Sequence, residues 1–97
     1  MVFRIVNTMK HPIICIPRIS KNYSATDIRY IFNDYEFGNI RNINIVSGNE
    51  TNKVFIVYSY WNVNNNTKIF REALNNNKEM KLFYDFPNFW KCYKSFT

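Results

Sequence analysis

Residues 53–61 read Lys-Val-Phe-Ile-Val-Tyr-Ser-Tyr-Trp, which is the strongest strand composition in the chain. β-Branched and aromatic side chains suit the pleated surface of a sheet. Alternation divides these side chains between two faces, with Val54, Ile56 and Tyr58 on one face and Phe55 and Val57 on the other. Because the stretch is too apolar for an open sheet edge, it predicts a central strand.

Three further strands are predicted, two before this stretch in the chain and one after it. The β-branched run at residues 13–19 contains Pro17, which suits a strand whose far end lacks a ladder partner. Residues 40–46 alternate Ile with Asn, as expected for a strand with one face in water. Residues 80–84 predict a fourth strand.

Two amphipathic helices are predicted between these strands. Ser24 stands three residues before Asp27, which is the spacing of a capping box at a helix start. This helix is expected to end near Gly38, because glycine readily adopts the positive φ common at helix C-termini. The Asn-rich loop 62–66 is expected to cap the second helix. The apolar stripes are Ile28, Ile31, Phe32 and Tyr35 in the first helix and Ile69, Phe70, Ala73 and Leu74 in the second.

This order of elements predicts an α+β fold of the ferredoxin-like split βαβ type, β-α-β-β-α-β. Such a fold is a four-stranded antiparallel sheet with two helices on one face, which leaves the other face open. The 97 residues suffice for one hydrophobic core. We expect the main domain over residues 13–84, an N-terminal arm or extra strand over 1–12, and an aromatic, basic C-terminal segment over 85–97 that packs on the domain.

The net charge of +6 favours an anionic partner, because Lys and Arg release counterions from phosphates when they bind them. The same charge is also compatible with a role in solubility alone. The N-terminal residues contain no apolar run long enough for a signal peptide or membrane span. Cys15 and Cys92 can pair only if the fold brings them together. These features predict an intracellular protein that does not bind membranes.

Two strand motifs resemble known signatures. Phe55-Ile56-Val57-Tyr58 has the aromatic, aliphatic, any, aromatic pattern that ends the third strand of the RNA recognition motif (RRM), and residues 13–84 resemble that family in element order. Ile14-Cys15-Ile16-Pro17-Arg18-Ile19 keeps the aliphatic frame of its first-strand signature. However, Cys15 and Lys53 stand where the family has stacking rings. Phe55 is therefore the one ring that this chain keeps of the family's three stacking rings. Each base stacked on such a ring contributes about 1 to 3 kcal/mol to the free energy of binding.

A narrower resemblance rests on three features together. They are Pro17-Arg18 after the first strand, the Val-Phe-Ile run of the third strand, and the tail Tyr84-Asp85-Phe86-Pro87-Asn88-Phe89-Trp90-Lys91. In these features the chain is similar to small RRM-like proteins of large nucleocytoplasmic DNA viruses, including the giant viruses. The resemblance implies a viral protein, located in the host cytoplasm or the virion.

The leading functional hypothesis is binding of single-stranded RNA on the open sheet face. Bases would stack on Phe55, with Phe83 or Trp90 as a second ring. The phosphates would be held by Lys53, Lys81, Lys91 and Arg18, and amide contacts would come from Asn42 or Asn44. An opposing interpretation is that the aromatic C-terminal segment folds across Phe55 and Phe83 and covers them.

The alternative function is an RRM-like protein-protein interaction module in a viral or host RNA-processing or translation assembly. Its partner would bind the helical face or the aromatic tail, which suits this role because Trp, Tyr and Arg are common interface anchors. A homo-oligomer joined through the N-terminal strand or the tail is a third possibility. The salt dependence of binding distinguishes RNA binding from protein interaction, because phosphate binding weakens steeply as the salt concentration rises.

An enzyme, a metal site and a cofactor are not expected. His11 is the only histidine, the acidic residues are scattered over helices and loops, and no Gly-rich phosphate loop exists. The two cysteines do not form a Cys-x-x-Cys pair with metal-ligand spacing.

Overall fold

A computed structural model describes residues 11–95, so the predicted N-terminal arm lies outside the described residues except for His11 and Pro12. The fold is α+β, with five strands and two helices in this range. In chain order the elements are β1 (Ile14–Ser20), α1 (Ala25–Asp34), β2 (Gly38–Ser47), β3 (Thr51–Trp61), α2 (Asn65–Asn75), β4 (Met80–Asp85) and β5 (Asn88–Lys94).

The strands form one open sheet in the order β2-β3-β1-β5-β4, with every neighbouring pair antiparallel. β3 has partners on both sides, as its apolar composition predicted. The expectation of four strands is wrong. β5 lies beside β1, and β4, the predicted fourth strand, lies beyond β5 at the sheet edge. Asp85 pairs with Asn88 at the tight turn through Phe86 and Pro87, so the two strands form a hairpin.

The described part of the C-terminal segment is therefore a strand within the sheet. Its side chains alternate, because successive residues of a strand point to opposite faces. Trp90 and Cys92 are buried, whereas Phe89, Lys91 and Tyr93 point to the other face. Residues 96 and 97 lie outside the described range.

One hydrophobic core lies between the sheet and the two helices. The inward positions of β1 and β3 are fully or almost fully buried, and both helices contribute to the same cluster. The helices therefore cover one face of the sheet, and no helix of residues 11–95 lies on the opposite face. The largest core side chains include Phe32, Phe37, Tyr58, Trp61, Phe70 and Trp90.

The predicted capping box of α1 is confirmed. The Ser24 hydroxyl accepts a hydrogen bond from the Asp27 N–H at 3.1 Å, and the Asp27 carboxylate accepts one from the Ser24 N–H at 2.9 Å. The helix ends at Asp34, before the glycine expected to stop it, and Glu36 adopts the left-handed φ of 55°. Gly38 instead begins β2 at φ 155°, where a Cβ would lie 2.2 Å from the Tyr60 carbonyl oxygen.

The second helix is capped by Asn64, whose side chain accepts a hydrogen bond from the Thr67 N–H at 2.8 Å. Its buried residues are Thr67, Phe70 and Leu74, which recur at helical spacing on one face. The prediction that Ile69 belongs to this buried stripe is wrong, since its side chain is 61% exposed. Thr67 lies at a core position that the spacing of apolar residues alone does not predict.

Candidate nucleic-acid interface

The helix-free face of the sheet carries a row of four side chains from four adjacent strands. In the ladders, Phe55 of β3 pairs with Asn44 of β2 on one side and with Cys15 of β1 on the other. Cys15 in turn pairs with Tyr93 of β5. Both rings are partly exposed. The row therefore presents an amide, a phenyl ring, a thiol and a phenol to solvent.

A second row, two residues further along the strands, is basic. Lys53 of β3 pairs with Val46, and Lys91 of β5 pairs with Lys81 of β4. All three lysines are exposed. The Lys81 ammonium lies 4.7 Å from the centroid of the Phe89 ring, within the range of a cation–π contact. A strip of positive charge thus lies beside the aromatic row.

An aromatic cluster continues this surface to the turn between β4 and β5. The ring centroids of Phe83 and Phe89 are 5.5 Å apart, and those of Phe83 and Phe86 are 5.2 Å apart. Phe86 is 78% exposed and Phe83 is 37% exposed. The backbone of Phe83 is fixed from the helical side, where the Tyr35 hydroxyl donates a hydrogen bond to its carbonyl oxygen.

Most of the predicted site residues lie on this open face. They extend across its full width, because Asn42 and Asn44 are on the β2 edge and Phe83 is on the β4 edge. Four strand spacings separate these edges, or about 19 Å. The predicted residues that project from the open face are Asn42, Asn44, Lys53, Phe55, Lys81, Phe83 and Lys91; Arg18 lines a cleft at the end of β1.

The prediction that Trp90 offers a second stacking ring on the sheet is wrong. Trp90 points to the helical side of β5 and is only 4% exposed. Its ring stacks on Tyr84 at 4.7 Å between centroids, meets Tyr23 edge-on at 5.3 Å, and lies 6.2 Å from Phe32. The ring therefore stabilises the core and is not available to a base.

The expected alternative, in which the C-terminal segment covers the open face, does not hold for the described residues. Residues 88–94 lie in the plane of the sheet as β5 and do not cross it. Phe55 and Phe83 consequently keep part of their surfaces in solvent. Phe96, a further ring of that segment, lies outside the described range.

Sequence reasoning missed Tyr93 and Phe89 as members of the open face. The pattern that could have identified them is the alternation of side chains along residues 88–94. This pattern does not show up as an alternation of apolar and polar residues, because both faces of the strand carry aromatic rings. The Tyr93 hydroxyl donates a 2.6 Å hydrogen bond to the Glu79 carboxylate. This bond, followed by burial, raises the pKa of Tyr93, and the bond itself holds the position of the ring.

The two thiols lie on opposite faces of the sheet. Cys15 pairs across the ladder with Tyr93, and Cys92 precedes Tyr93 and therefore points the other way. Both thiols are free. Burial raises the pKa of Cys15, although the nearby Lys53 ammonium opposes the shift, and burial raises the pKa of Cys92 strongly. These geometries do not permit a disulfide between them within this fold.

Comparison of the chain with protein-family models, with curated proteins and with solved structures gives no match. Within residues 11–95, no group of His, Cys, Asp and Glu side chains is arranged to hold a metal ion. Neither helix in that range is long and apolar enough to cross a membrane.

Proposed function

We propose that this chain is an RRM-like protein of the ferredoxin-like split βαβ type that binds single-stranded RNA on its helix-free face. The element order through α2 fits that architecture, and β5 occupies the place beside β1 that a fourth strand would take. β4 is then an addition at the sheet edge. The viral source implied by the sequence resemblance stays a prediction.

The observation that supports this proposal best is the row formed by Phe55, Cys15 and Tyr93. In the RRM resemblance, Cys15 replaces a stacking ring on the first strand. The adjacent strand supplies Tyr93 directly beside it, so this row has two rings. Stacking of bases on aromatic rings contributes about 1 to 3 kcal/mol per base and tolerates any sequence.

The charges on the same face suit a phosphate backbone. Lys53, Lys81 and Lys91 are exposed beside the aromatic row, and Asn42 and Asn44 add amide groups at the β2 edge. Amides can hydrogen-bond to the edges of unstacked bases. Under this proposal, the combination of rings, cations and amides favours single strands over paired RNA.

The proposal is tested by titrating a fluorescent single-stranded RNA of mixed sequence into the full-length protein at two salt concentrations. We expect binding that weakens steeply with salt, because neutralised phosphates release counterions. Replacing Phe55 by Ala is expected to weaken binding by about 1 to 3 kcal/mol. Replacing Lys53 by Gln is expected to reduce the salt dependence.

Matched controls come from the helical side of the molecule. Tyr30 is 71% exposed on α1, so Tyr30→Ala removes a ring without touching the open face. Lys68→Gln removes a lysine from α2. Absence of RNA binding at low salt would reject the proposal, as would equal losses from Phe55→Ala and Tyr30→Ala. Circular dichroism of each variant checks that the fold is intact.

A protein-interaction module is the second candidate, supported by the exposed cluster of Phe83, Phe86 and Phe89 at the β4–β5 hairpin. Exposed aromatic side chains that touch one another are typical of interface anchors. The same cluster could join two copies of this chain, and sedimentation at increasing concentration tests that case. If Phe86→Ala abolishes self-association without affecting RNA titration, the hairpin serves protein contacts and the sheet serves RNA.

A further inference from the structure

β1 and β5 separate soon after they meet. Their ladder consists of Ile14 with Lys94 and Cys15 with Tyr93, and no further pair forms within the described residues. Pro17 follows in β1, and it lacks the N–H that a ladder needs. The pairing of β1 with β3 is interrupted over the same stretch, between Ile16 and Ile19. The sheet is thus locally open beside Pro17.

A cleft of about 470 Å³ opens at this separation. Small-molecule sites in proteins commonly have volumes of about 300 to 1,000 Å³. Among the described residues, two cationic and three aromatic residues line it, and no acidic residue does. The lining residues are Pro17, Arg18, Phe89, Trp90, Lys91 and Tyr93.

We propose that this cleft binds one nucleotide unit, with its phosphate between Arg18 and Lys91 and its base against the Tyr93 ring. Assigning that nucleotide to an RNA chain rests on the function proposed above, whereas the cleft itself requires only a phosphate ester that bears a planar base. A guanidinium suits this role because its donors match phosphate oxygens in pairs.

Tyr93 suits the base better than Phe89 does. The hydroxyl of Tyr93 is anchored on Glu79, which fixes the ring before a ligand arrives. A fixed ring loses little conformational entropy on binding. The Phe89 ring already has the Lys81 ammonium against it. Tyr93 also adjoins Cys15 in the aromatic row, so an RNA strand that crosses Phe55 would next meet the cleft.

The test uses adenosine 5′-monophosphate as the probe and the full-length protein labelled with ¹⁵N for NMR. We expect saturable shifts of the amides of Arg18, Lys91 and Tyr93. Adenosine and inorganic phosphate, titrated separately, are each expected to bind at least about tenfold more weakly, because each lacks half of the contacts. Shifts confined to other surfaces, or equal binding of adenosine and the monophosphate, would overturn the proposal.

Variants then assign the phosphate contacts. Arg18→Gln and Lys91→Gln are each expected to weaken monophosphate binding about tenfold or more, since hydrogen bonds to charged groups are stronger than neutral ones. Their effect on adenosine is expected to be small. Lys68→Gln is the control, because Lys68 lines a separate cleft beside α2. The amide spectrum of each variant reports whether the fold is retained. An intact Arg18→Gln variant with unchanged monophosphate affinity would reject the assignment.

A single-stranded tetranucleotide distinguishes this proposal from the general function. If the monophosphate binds in the cleft but the tetranucleotide binds no better, the cleft proposal stands and RNA binding fails. If the tetranucleotide binds and depends on Phe55 but not on Arg18 or Lys91, RNA binding stands, and the assignment of the cleft to a nucleotide of the RNA chain fails. If Arg18→Gln weakens both ligands, the cleft holds a nucleotide of the RNA chain.

Discussion

Tyr93 lies on the same face of the sheet as Phe55, one strand beyond Cys15, which pairs with both of them. Two strand spacings separate their backbones, or about 9 to 10 Å. The rings are close enough to contact neighbouring bases of one strand, and far enough apart that they do not rest on each other. This relationship gives the first prediction.

Replacing Tyr93 by Leu should weaken binding of single-stranded RNA by about 1 to 3 kcal/mol, whereas Tyr93→Phe, which keeps the ring, should bind nearly as well as the parent chain. The losses from Phe55→Ala and Tyr93→Leu should add to within about 0.5 kcal/mol, because sites this far apart rarely couple. Fluorescence titration of the single and double variants measures this. A double variant no weaker than Phe55→Ala would mean that Tyr93 does not contact RNA.

Replacing Trp90 by Ala should lower the free energy of unfolding by about 3 to 5 kcal/mol, because a large ring is lost from the core. Phe86→Ala, only four residues away in a largely exposed turn position, should change it by no more than about 0.5 kcal/mol. Urea denaturation of both variants measures the difference. Equal stabilities would contradict the placement of Trp90 among Tyr84, Tyr23 and Phe32.

Replacing Ser24 by Ala should destabilise the protein by about 0.5 to 2 kcal/mol, since the Asp27 N–H then loses its hydrogen-bond acceptor at the start of α1. Thr26→Ala changes an exposed residue in the first turn of the same helix and serves as the control. Chemical denaturation monitored by far-ultraviolet circular dichroism gives both values. A Ser24→Ala variant as stable as Thr26→Ala would argue against the capping box.

Cys15 and Cys92 should react very differently with iodoacetamide. Only the thiolate is nucleophilic, and the raised pKa of Cys15 leaves less thiolate at neutral pH, so its reaction should accelerate at higher pH than that of a free cysteine. Lys53→Gln should move this profile higher still, because the Lys53 ammonium favours the thiolate. Mass spectrometry locates the label.

Cys92 is fully buried and should be labelled only after unfolding. A Cys15→Ser variant isolates its signal in the native protein. Addition of RNA should also slow the labelling of Cys15, which lies between the two rings that are expected to bind bases. Labelling of Cys92 at the rate of Cys15 in the folded state would contradict their placement on opposite faces.

The elements that the sequence predicted well have local causes. The capping box needs only Ser24 and Asp27, and the inward side of β3 follows from the alternation of Val54 and Ile56. The open face was predicted correctly for Phe55 because its neighbours along the strand are unmistakably apolar. These features depend on residues close together in the chain.

The strand order and the role of the C-terminal segment depend on contacts between distant residues. Residues 88–94 carry rings on both faces, so composition alone could not say which side the core would take. Asp85, Pro87 and Asn88 are turn-forming residues that could have indicated a hairpin, but they do not reveal that its second strand pairs with β1. That pairing decides both the burial of Trp90 and the exposure of Tyr93.

The short ladder between β1 and β5 divides the backbone hydrogen bonding of the sheet into two parts. β2, β3 and β1 form one well-bonded part and the β4–β5 hairpin forms the other, joined within the described residues by two residue pairs and the bond from the Ser95 N–H to the Ile13 carbonyl. Such parts can open as separate cooperative units. Amide hydrogens of the hairpin should therefore exchange with deuterium sooner than those of β3, and occupation of the cleft should bring the two rates closer together.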